Sequence, residues 1–127
     1  MHKQSIDVVA AVIKKNNLFL VANRSFEANS PGIWEFPGGK VEKKETFVSA
    51  LVKEIEEELS LKIQVCDKIT SIYLKKSDKH ISVHYFYALI MSGHINLNVH
   101  SEFKWVARDQ LNAFKYIDGD RDVLKHL

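Results

Sequence analysis

The sequence predicts an α+β fold of the α/β/α sandwich type, in which helices pack on the faces of a mixed β-sheet. Two observations support this prediction. Several apolar or alternating runs have the length of strands and are separated by short turn signals. One amphipathic helix stands among them and two short helical segments follow the last run, so helices and hairpins are segregated along the chain.

Three strands are predicted before the helix. The run from Ser5 to Lys15 is rich in Val, Ile and Ala, which is typical of a strand buried on both faces. Asn16 and Asn17 favour a tight turn, and the return strand runs from Leu18 to Asn23. A loop from Ser25 to Ile33 then leads to a short strand, Trp34 to Phe36.

The remaining elements follow from periodicity and turn residues. The sequence predicts a helix from about Thr46 to Ser60, a long hairpin of Lys62–Lys75 and Lys79–Met91, a turn at Ser92–His94, a strand at Phe103–Val106, and two short helices at Arg108–Ala113 and Asp120–Leu127.

Composition sets the broad class of protein. The chain has 127 residues, 46% of them hydrophobic, which predicts a single domain over 1–127 with its own core. A formal net charge of +2 gives no reason to expect stable binding to nucleic acid or to a membrane. Cys66 is the one cysteine, and there is no signal-peptide pattern, so we expect a cytoplasmic protein, either a monomer or a homodimer.

The predicted central helix has an apolar stripe beside an acidic one. At about 100° per residue, the stripe expected to face the core comprises Val48, Leu51, Val52, Ile55 and Leu59. Glu54, Glu57 and Glu58 lie on the adjacent stripe at spacings of i, i+3 and i, i+4, whereas Glu56 faces elsewhere.

Three like charges on one stripe repel each other, and the helix dipole disfavours anions near the C-terminal end. A divalent cation would remove both penalties. Carboxylate oxygens, together with a backbone carbonyl from the preceding Gly38-Gly39 turn, are ligands that Mg²⁺ prefers, with Mn²⁺ also possible. The alternative for such a run is a solvated acidic face, and for Glu45 it is an acid in the first turn of the helix.

The spacing of these residues resembles the Nudix hydrolase signature, G-x5-E-x7-R-E-U-x-E-E-x-G-U, where U is aliphatic. Here Gly39 is followed by five residues, Glu45, seven residues, and the run from Lys53 to Leu61. Lys53 replaces the Arg of the signature and Ser60 replaces its second Gly. The segment from Trp34 to Lys40 is similar to the MutT and CTP-pyrophosphohydrolase branch of the family.

The resemblance implies Mg²⁺-dependent hydrolysis of a nucleoside triphosphate to a monophosphate and pyrophosphate. The expected substrates are oxidised nucleotides such as 8-oxo-dGTP, whose removal sanitises the nucleotide pool, or CTP and dCTP. A small nucleotide would then be the partner of the chain. The alternatives are a catalytically weak Nudix domain that senses a nucleotide, and a Nudix hydrolase of another nucleoside diphosphate derivative.

The resemblance also assigns roles within the active site. It implies that the Gly38 carbonyl, Glu54, Glu57 and Glu58 bind the metal, and that these three glutamates are the catalytic residues. Glu54 is the first choice for general base, with metal ligation as its competing role. Glu45 is expected to support the loop, and Lys53 can still pair with it, although without the fork of an arginine.

Five residues are expected to bind the substrate: Arg24, Asn29, Phe36, Lys40 and Asp120. The resemblance places Arg24 against the phosphates or the base, and Lys40 near the phosphates. It places Asp120 where the base is read, since an ionised Asp accepts from an exocyclic amino group and a protonated one donates to a carbonyl. The alternative for Asp120 is an acid at a helix start.

One departure lies outside the signature. Relatives often have Glu-His shortly before the Trp-Val strand, and the Glu helps to bind metal or water. The corresponding run here is Val99-His100-Ser101-Glu102. Either His100 or Glu102 is then the substitute for the missing carboxylate, and this departure is what favours the sensor alternative.

Overall fold

The computed structural model describes residues 4–24 and 32–127. In this part of the chain the elements are β1 (Gln4–Lys15), β2 (Leu18–Asn23), β3 (Trp34–Glu35), β4 (Gly38–Lys40), α1 (Phe47–Leu59), β5 (Lys62–Lys75), β6 (Lys79–Ser92), β7 (Glu102–Ala107) and two 3₁₀ helices, η1 (Arg108–Ala113) and η2 (Asp120–His126). The predicted strands and the central helix are present. The additional strand, β4, forms because the Gly38-Gly39 turn pairs with β1.

The strands form a mixed sheet in the order β3-β2-β1-β6-β5, with β4 paired to β1 and β7 paired to β2. β1 runs parallel to β6 over its whole apolar run, and the other pairings are antiparallel. β5 lies at the end of this order, and its pairing with β6 is irregular between Val65 and Thr70. The central position of β1 explains why its apolar residues are continuous rather than alternating.

Two hydrophobic cores lie on opposite faces of the sheet. Val9, Ala11 and Ile13 of β1 pack against α1, whereas Ala10 and Val12 pack on the side of η1 and η2. The fold is therefore the predicted sandwich of a mixed sheet between helical layers. Among the described residues, no helix has both the length and the apolar character needed to cross a membrane.

The buried stripe of α1 differs from the predicted one. The buried residues are Ala50, Leu51, Ile55, Glu58 and Leu59. Val48 is 48% exposed, so its predicted place in the core is wrong, and Val52 is only partly buried. The helix packs on β4 as well as on β1 and β5, and this additional contact turns its acidic side toward the sheet.

The two ends of α1 are set by specific residues. Thr46 is the N-cap, and it forms a reciprocal capping box with Ser49. Ser60 ends the helix in the left-handed conformation, with φ 60° and ψ 32°. This is the position where the family signature has Gly, and a side chain with a Cβ is disfavoured there.

We predict that Ser60→Gly stabilises the protein by about 1 kcal/mol, because glycine adopts positive φ without the steric cost that serine has. Within residues 4–24 and 32–127, the hydroxyl of Ser60 accepts a single long hydrogen bond, from Asn98 Nδ2 at 3.3 Å, so little is lost. Denaturant unfolding measures the change. Lys44→Gly, at an exposed residue with φ 70°, should shift stability in the same direction. A loss of stability in Ser60→Gly would contradict the prediction.

Candidate active site

Two glycines bring β4 into close contact with β1 and α1. Gly38 pairs with Ala10 and Gly39 with Val9. A Cβ on Gly38 would lie 1.9 Å from the Val9 carbonyl oxygen, which is backbone and cannot move aside. A Cβ on Gly39 would lie 2.5 Å from the Glu54 carboxylate carbon. The glycine strand therefore leaves a cradle that the Glu54 carboxylate fills.

The three glutamates of the acidic stripe lie in different environments. Glu58 is only 7% exposed, Glu54 is partly buried, and Glu57 is exposed. Burial, followed by the charge of Glu57, raises the pKa of Glu54. Burial also raises the pKa of Glu58 to about 7, although the Arg24 guanidinium opposes this shift. Desolvation and mutual repulsion thus disfavour the charged forms.

These residues fit a divalent cation. The cradle at Gly39 places the Glu54 carboxylate against the glycine backbone, and the charge of Glu57 acts on this carboxylate. Oxygen donors of this kind suit Mg²⁺ or Mn²⁺, and a cation would offset the burial and the repulsion that raise the pKa values of Glu54 and Glu58.

A second cluster joins the acidic helix to β3. Ligand atoms of Glu35, Glu58 and His100 lie within 4.8 Å of one another, and all three residues are buried. Arg24 inserts into this cluster as a fork. Its Nε donates to Glu35 Oε1 at 3.0 Å, its Nη2 donates to Glu35 Oε2 at 3.1 Å, and the same Nη2 lies 3.4 Å from Glu58 Oε1.

Glu35 and Glu58 differ in charge state although they are neighbours. Burial raises the pKa of Glu35, but hydrogen bonds from His100 and Arg24 outweigh burial and hold the pKa below its usual value. The hydrogen bond to Glu35 raises the pKa of Arg24 in turn. Glu35 therefore stays ionised, whereas Glu58 titrates near neutrality.

Glu35 is the residue of this cluster that sequence analysis missed. A signal for it was present, because Glu35 is a charged residue between two aromatic residues, Trp34 and Phe36, in a strand expected to be buried. The structure also distinguishes the two substitutes for the missing carboxylate. His100 is 3% exposed and its Nε2 lies 3.8 Å from Glu58, whereas Glu102 is exposed and accepts from Asn23 Nδ2 at 3.4 Å.

Glu45 holds the loop between the glycine strand and α1 through contacts with Lys53 and Glu42. Lys53 Nζ lies 2.9 Å from Glu45 Oε2, as expected for a lysine in the place of the signature Arg. Glu45 Oε1 accepts from the Glu42 amide at 2.7 Å. Because α1 begins at Phe47 and has no acid in its first turn, the alternative of Glu45 as a first-turn helix acid is wrong.

A cavity of about 350 Å³ opens beside the buried cluster of Glu35, Glu58 and His100. Its lining includes Arg24, Glu35, Phe36, Gly38, Gly39 and Asp120. Lys40 is exposed and does not line this cavity, and the predicted substrate residue Asn29 lies outside the described residues.

Asp120 is buried at the wall of this cavity, with 4% of its surface exposed. Its Oδ2 accepts from the Phe36 amide at 2.9 Å, and its Oδ1 accepts from the Tyr85 hydroxyl. The N-cap of η2 is Gly119, and no side chain caps this helix. Asp120 is therefore an acid in the first turn of η2, as the alternative for this residue predicted, but its side chain does not cap the helix.

The fold and the site together define a class of hydrolases that act on phosphoric anhydrides and generally use divalent metal ions. The match to the NUDIX domain model covers residues 2–127. The chain therefore belongs to the Nudix hydrolase family, as its signature indicates.

Relatives and solved structures agree with this assignment. The chain is 30% identical to the CTP pyrophosphohydrolase of Escherichia coli strain K12 over 94% of its own length and 89% of the relative. It is 36% identical to the 8-oxo-dGTP diphosphatase of Proteus vulgaris over 68% of its own length and 78% of the relative. The solution structure of the E. coli ORF135 protein matches with a TM-score of 0.87 and 28% identity, over 98% of this chain and 89% of that one.

The two glycines provide a matched pair of substitutions. We predict that Gly38→Ala destabilises the fold by about 2 kcal/mol or more, since the new methyl group meets the Val9 backbone. Gly39→Ala should keep most of the stability, because the group it meets is the flexible end of Glu54. It should instead weaken Mn²⁺ binding, as the carboxylate leaves its cradle. Thermal unfolding and Mn²⁺ titration separate the two effects, and unchanged Mn²⁺ affinity in Gly39→Ala would count against the cradle.

The environment of Asp120 predicts a pH dependence of stability. Burial raises the pKa of this carboxyl from 3.8 to about 7, and hydrogen bonds from Tyr85 and Phe36 offset this only in part. Between these values the folded state binds more protons than the unfolded state. The free energy of unfolding should therefore fall as pH rises from 3.8 to about 7, and then level off.

The variant Asp120→Asn should lose this part of the slope, since it keeps the size of the side chain and still accepts from the Phe36 amide. Denaturant unfolding at a series of pH values measures the difference between the two proteins. Identical slopes would contradict the raised pKa.

Proposed function

We propose that this chain is a Mg²⁺-dependent nucleoside triphosphate pyrophosphohydrolase, with Mn²⁺ as a possible substitute. Its substrates are CTP or dCTP, or oxidised nucleotides such as 8-oxo-dGTP, and the products are the nucleoside monophosphate and pyrophosphate. One observation carries the proposal. The cavity is lined by Asp120 and also by Arg24, Glu35, Gly38 and Gly39, and Glu35 belongs to the buried cluster with Glu58 and His100. One nucleotide can therefore contact Asp120 and this cluster at the same time.

The acidic side of the site suits the phosphate chain. In this proposal the Gly38 carbonyl, Glu54, Glu57 and Glu58 hold the cation, which supplies charge neutralisation and activation of water when bound. The half-exposed Arg24 guanidinium and the exposed Lys40 add positive charge for phosphate oxygens.

Glu54 is the first choice for the general base, and metal ligation is the competing role for this carboxylate. Its carboxylate is fixed against Gly39, and burial raises its pKa, which brings its basicity closer to what proton transfer requires near neutral pH. As the water oxygen forms its bond to phosphorus, Glu54 takes the proton, and the bond to the leaving pyrophosphate breaks.

The other end of the cavity suits a nucleobase. The two oxygens of Asp120 accept from the Phe36 amide and the Tyr85 hydroxyl. Each oxygen retains a lone pair that can accept from an exocyclic amino group. Because burial raises the pKa of Asp120 to about 7, the protonated form is also accessible and donates to a base carbonyl. The names of the two relatives, a CTP pyrophosphohydrolase and an 8-oxo-dGTP diphosphatase, support these two substrate classes.

A nucleotide panel tests the proposal. Purified protein with Mg²⁺ is incubated with the normal and oxidised nucleoside triphosphates, a nucleotide sugar and a dinucleoside polyphosphate, and both products are quantified. We expect pyrophosphate and monophosphate in equal amounts from a triphosphate. Turnover of the sugar or dinucleotide alone would overturn the substrate class. Tight nucleotide binding without turnover would favour the nucleotide sensor over the enzyme. The absence of a carboxylate at Val99 is the observation that supports the sensor.

The acidic helix offers a matched pair of variants for the same assay. Glu56 and Glu57 are adjacent and both exposed, but only Glu57 lies on the stripe of the proposed metal ligands. We predict that Glu57→Gln lowers kcat by about 100-fold or more, since loss of a group that only supports a metal ligand already costs about 10- to 100-fold. Glu56→Gln should stay within about twofold of the unaltered protein. Equal activity of the two variants would remove Glu57 from the metal site.

A further inference from the structure

Arg24 contacts the carboxylates of Glu35 and Glu58, and its contact with Glu35 is the closer one. Its guanidinium makes a fork of two hydrogen bonds with Glu35, at 3.0 and 3.1 Å. It reaches Glu58 through a single longer contact of 3.4 Å. A bidentate pair is the stronger of the two arrangements, so Glu35 is the main partner of Arg24.

The oxygen of Glu58 that faces Arg24 is Oε1, and a guanidinium and a metal cation bound at the same carboxylate would repel each other. If the guanidinium moved fully onto this carboxylate, it would neutralise a proposed ligand and exclude a cation from it. The fork at Glu35 opposes such a movement, because leaving Glu35 would abandon two hydrogen bonds and an ionised carboxylate that is 8% exposed.

We propose that Glu35 is a positioning residue that sets the affinity of the site for a divalent cation, by holding Arg24 away from Glu58. This inference rests on the proposed role of Glu58 in metal binding.

His100 supports this arrangement with a further contact to Glu35. Its imidazole is 3% exposed, and its Nε2 lies 3.3 Å from Glu35 Oε2, on the oxygen that also accepts from Arg24 Nη2. Glu35 therefore has donors on both oxygens and is fixed by a ring that cannot reach solvent. This additional hydrogen bond favours the orientation of the Glu35 carboxylate that presents the fork to Arg24.

If Glu35 positions Arg24, the effects of Arg24→Gln and Glu35→Gln on Mn²⁺ affinity should be coupled. The affinity for Mn²⁺ is measured from the electron paramagnetic resonance signal of the free ion in the unaltered protein, Arg24→Gln, Glu35→Gln and the double variant. Arg24→Gln should bind Mn²⁺ more tightly. Glu35→Gln should bind it about tenfold more weakly, because Arg24 is released onto Glu58. In the Arg24→Gln background, the same Glu35 substitution should change affinity by less than about twofold.

The double variant separates positioning from simple charge. If Glu35 acted only through its negative charge, its removal would weaken Mn²⁺ binding equally with and without Arg24. Equal shifts in the two backgrounds would overturn the proposal. Glu35→Asp is a second test that conserves charge and withdraws the carboxylate by one methylene. It should weaken binding only when Arg24 is present, and no weakening would also overturn the proposal.

Two controls complete the experiment. Glu58→Gln should lose Mn²⁺ affinity, and if it binds as well as the unaltered protein then the proposed metal role has failed rather than the positioning role. Arg121→Gln removes an arginine that contacts the Phe114 and Asn112 carbonyls instead of the site, and its affinity should not change. Thermal unfolding of each variant confirms that affinities are compared between folded proteins.

Discussion

The close approach of the glycine strand to its neighbours is the constraint on which the site depends. β4 lies so near β1 and α1 that neither Gly38 nor Gly39 has room for a side chain. This contact places the Glu54 carboxylate against the Gly39 backbone, and Glu58 is buried on the same acidic side of α1. The helix, the glycine strand and the cavity lie together because Gly38 and Gly39 have no side chains.

The site combines this tight backbone packing with buried carboxylates. Glu35, Glu58 and Asp120 are each less than 9% exposed, and burial acts to raise the pKa of all three. Only Glu35 has enough donors to stay below its usual pKa. Such groups cost stability that apolar residues would not, and proteins retain them where they have chemical roles.

The parts of the fold set by local patterns could be predicted from the sequence. Strand periodicity, the helical periodicity from about Thr46 and the spacing of the signature predicted the sheet, the central helix and its acidic stripe. The rotation of α1 that exposes Val48 could not be predicted, because it arises from β4, whose glycines resemble a turn. Glu35 was missed for a similar reason, since its partners Arg24 and His100 are distant in sequence and come together only in the folded sheet.

The position of β5 at the end of the sheet has a consequence for the protein in concentrated solution. In the part of the chain that the structure describes, this strand of 14 residues pairs on one side only, with β6. A long straight strand of this kind is a template for pairing between chains. Here the irregular pairing between Val65 and Thr70 bends the strand, and exposed lysines at 62, 68 and 75 place like charges along it. These features oppose edge-to-edge pairing of β5 with a strand of another molecule.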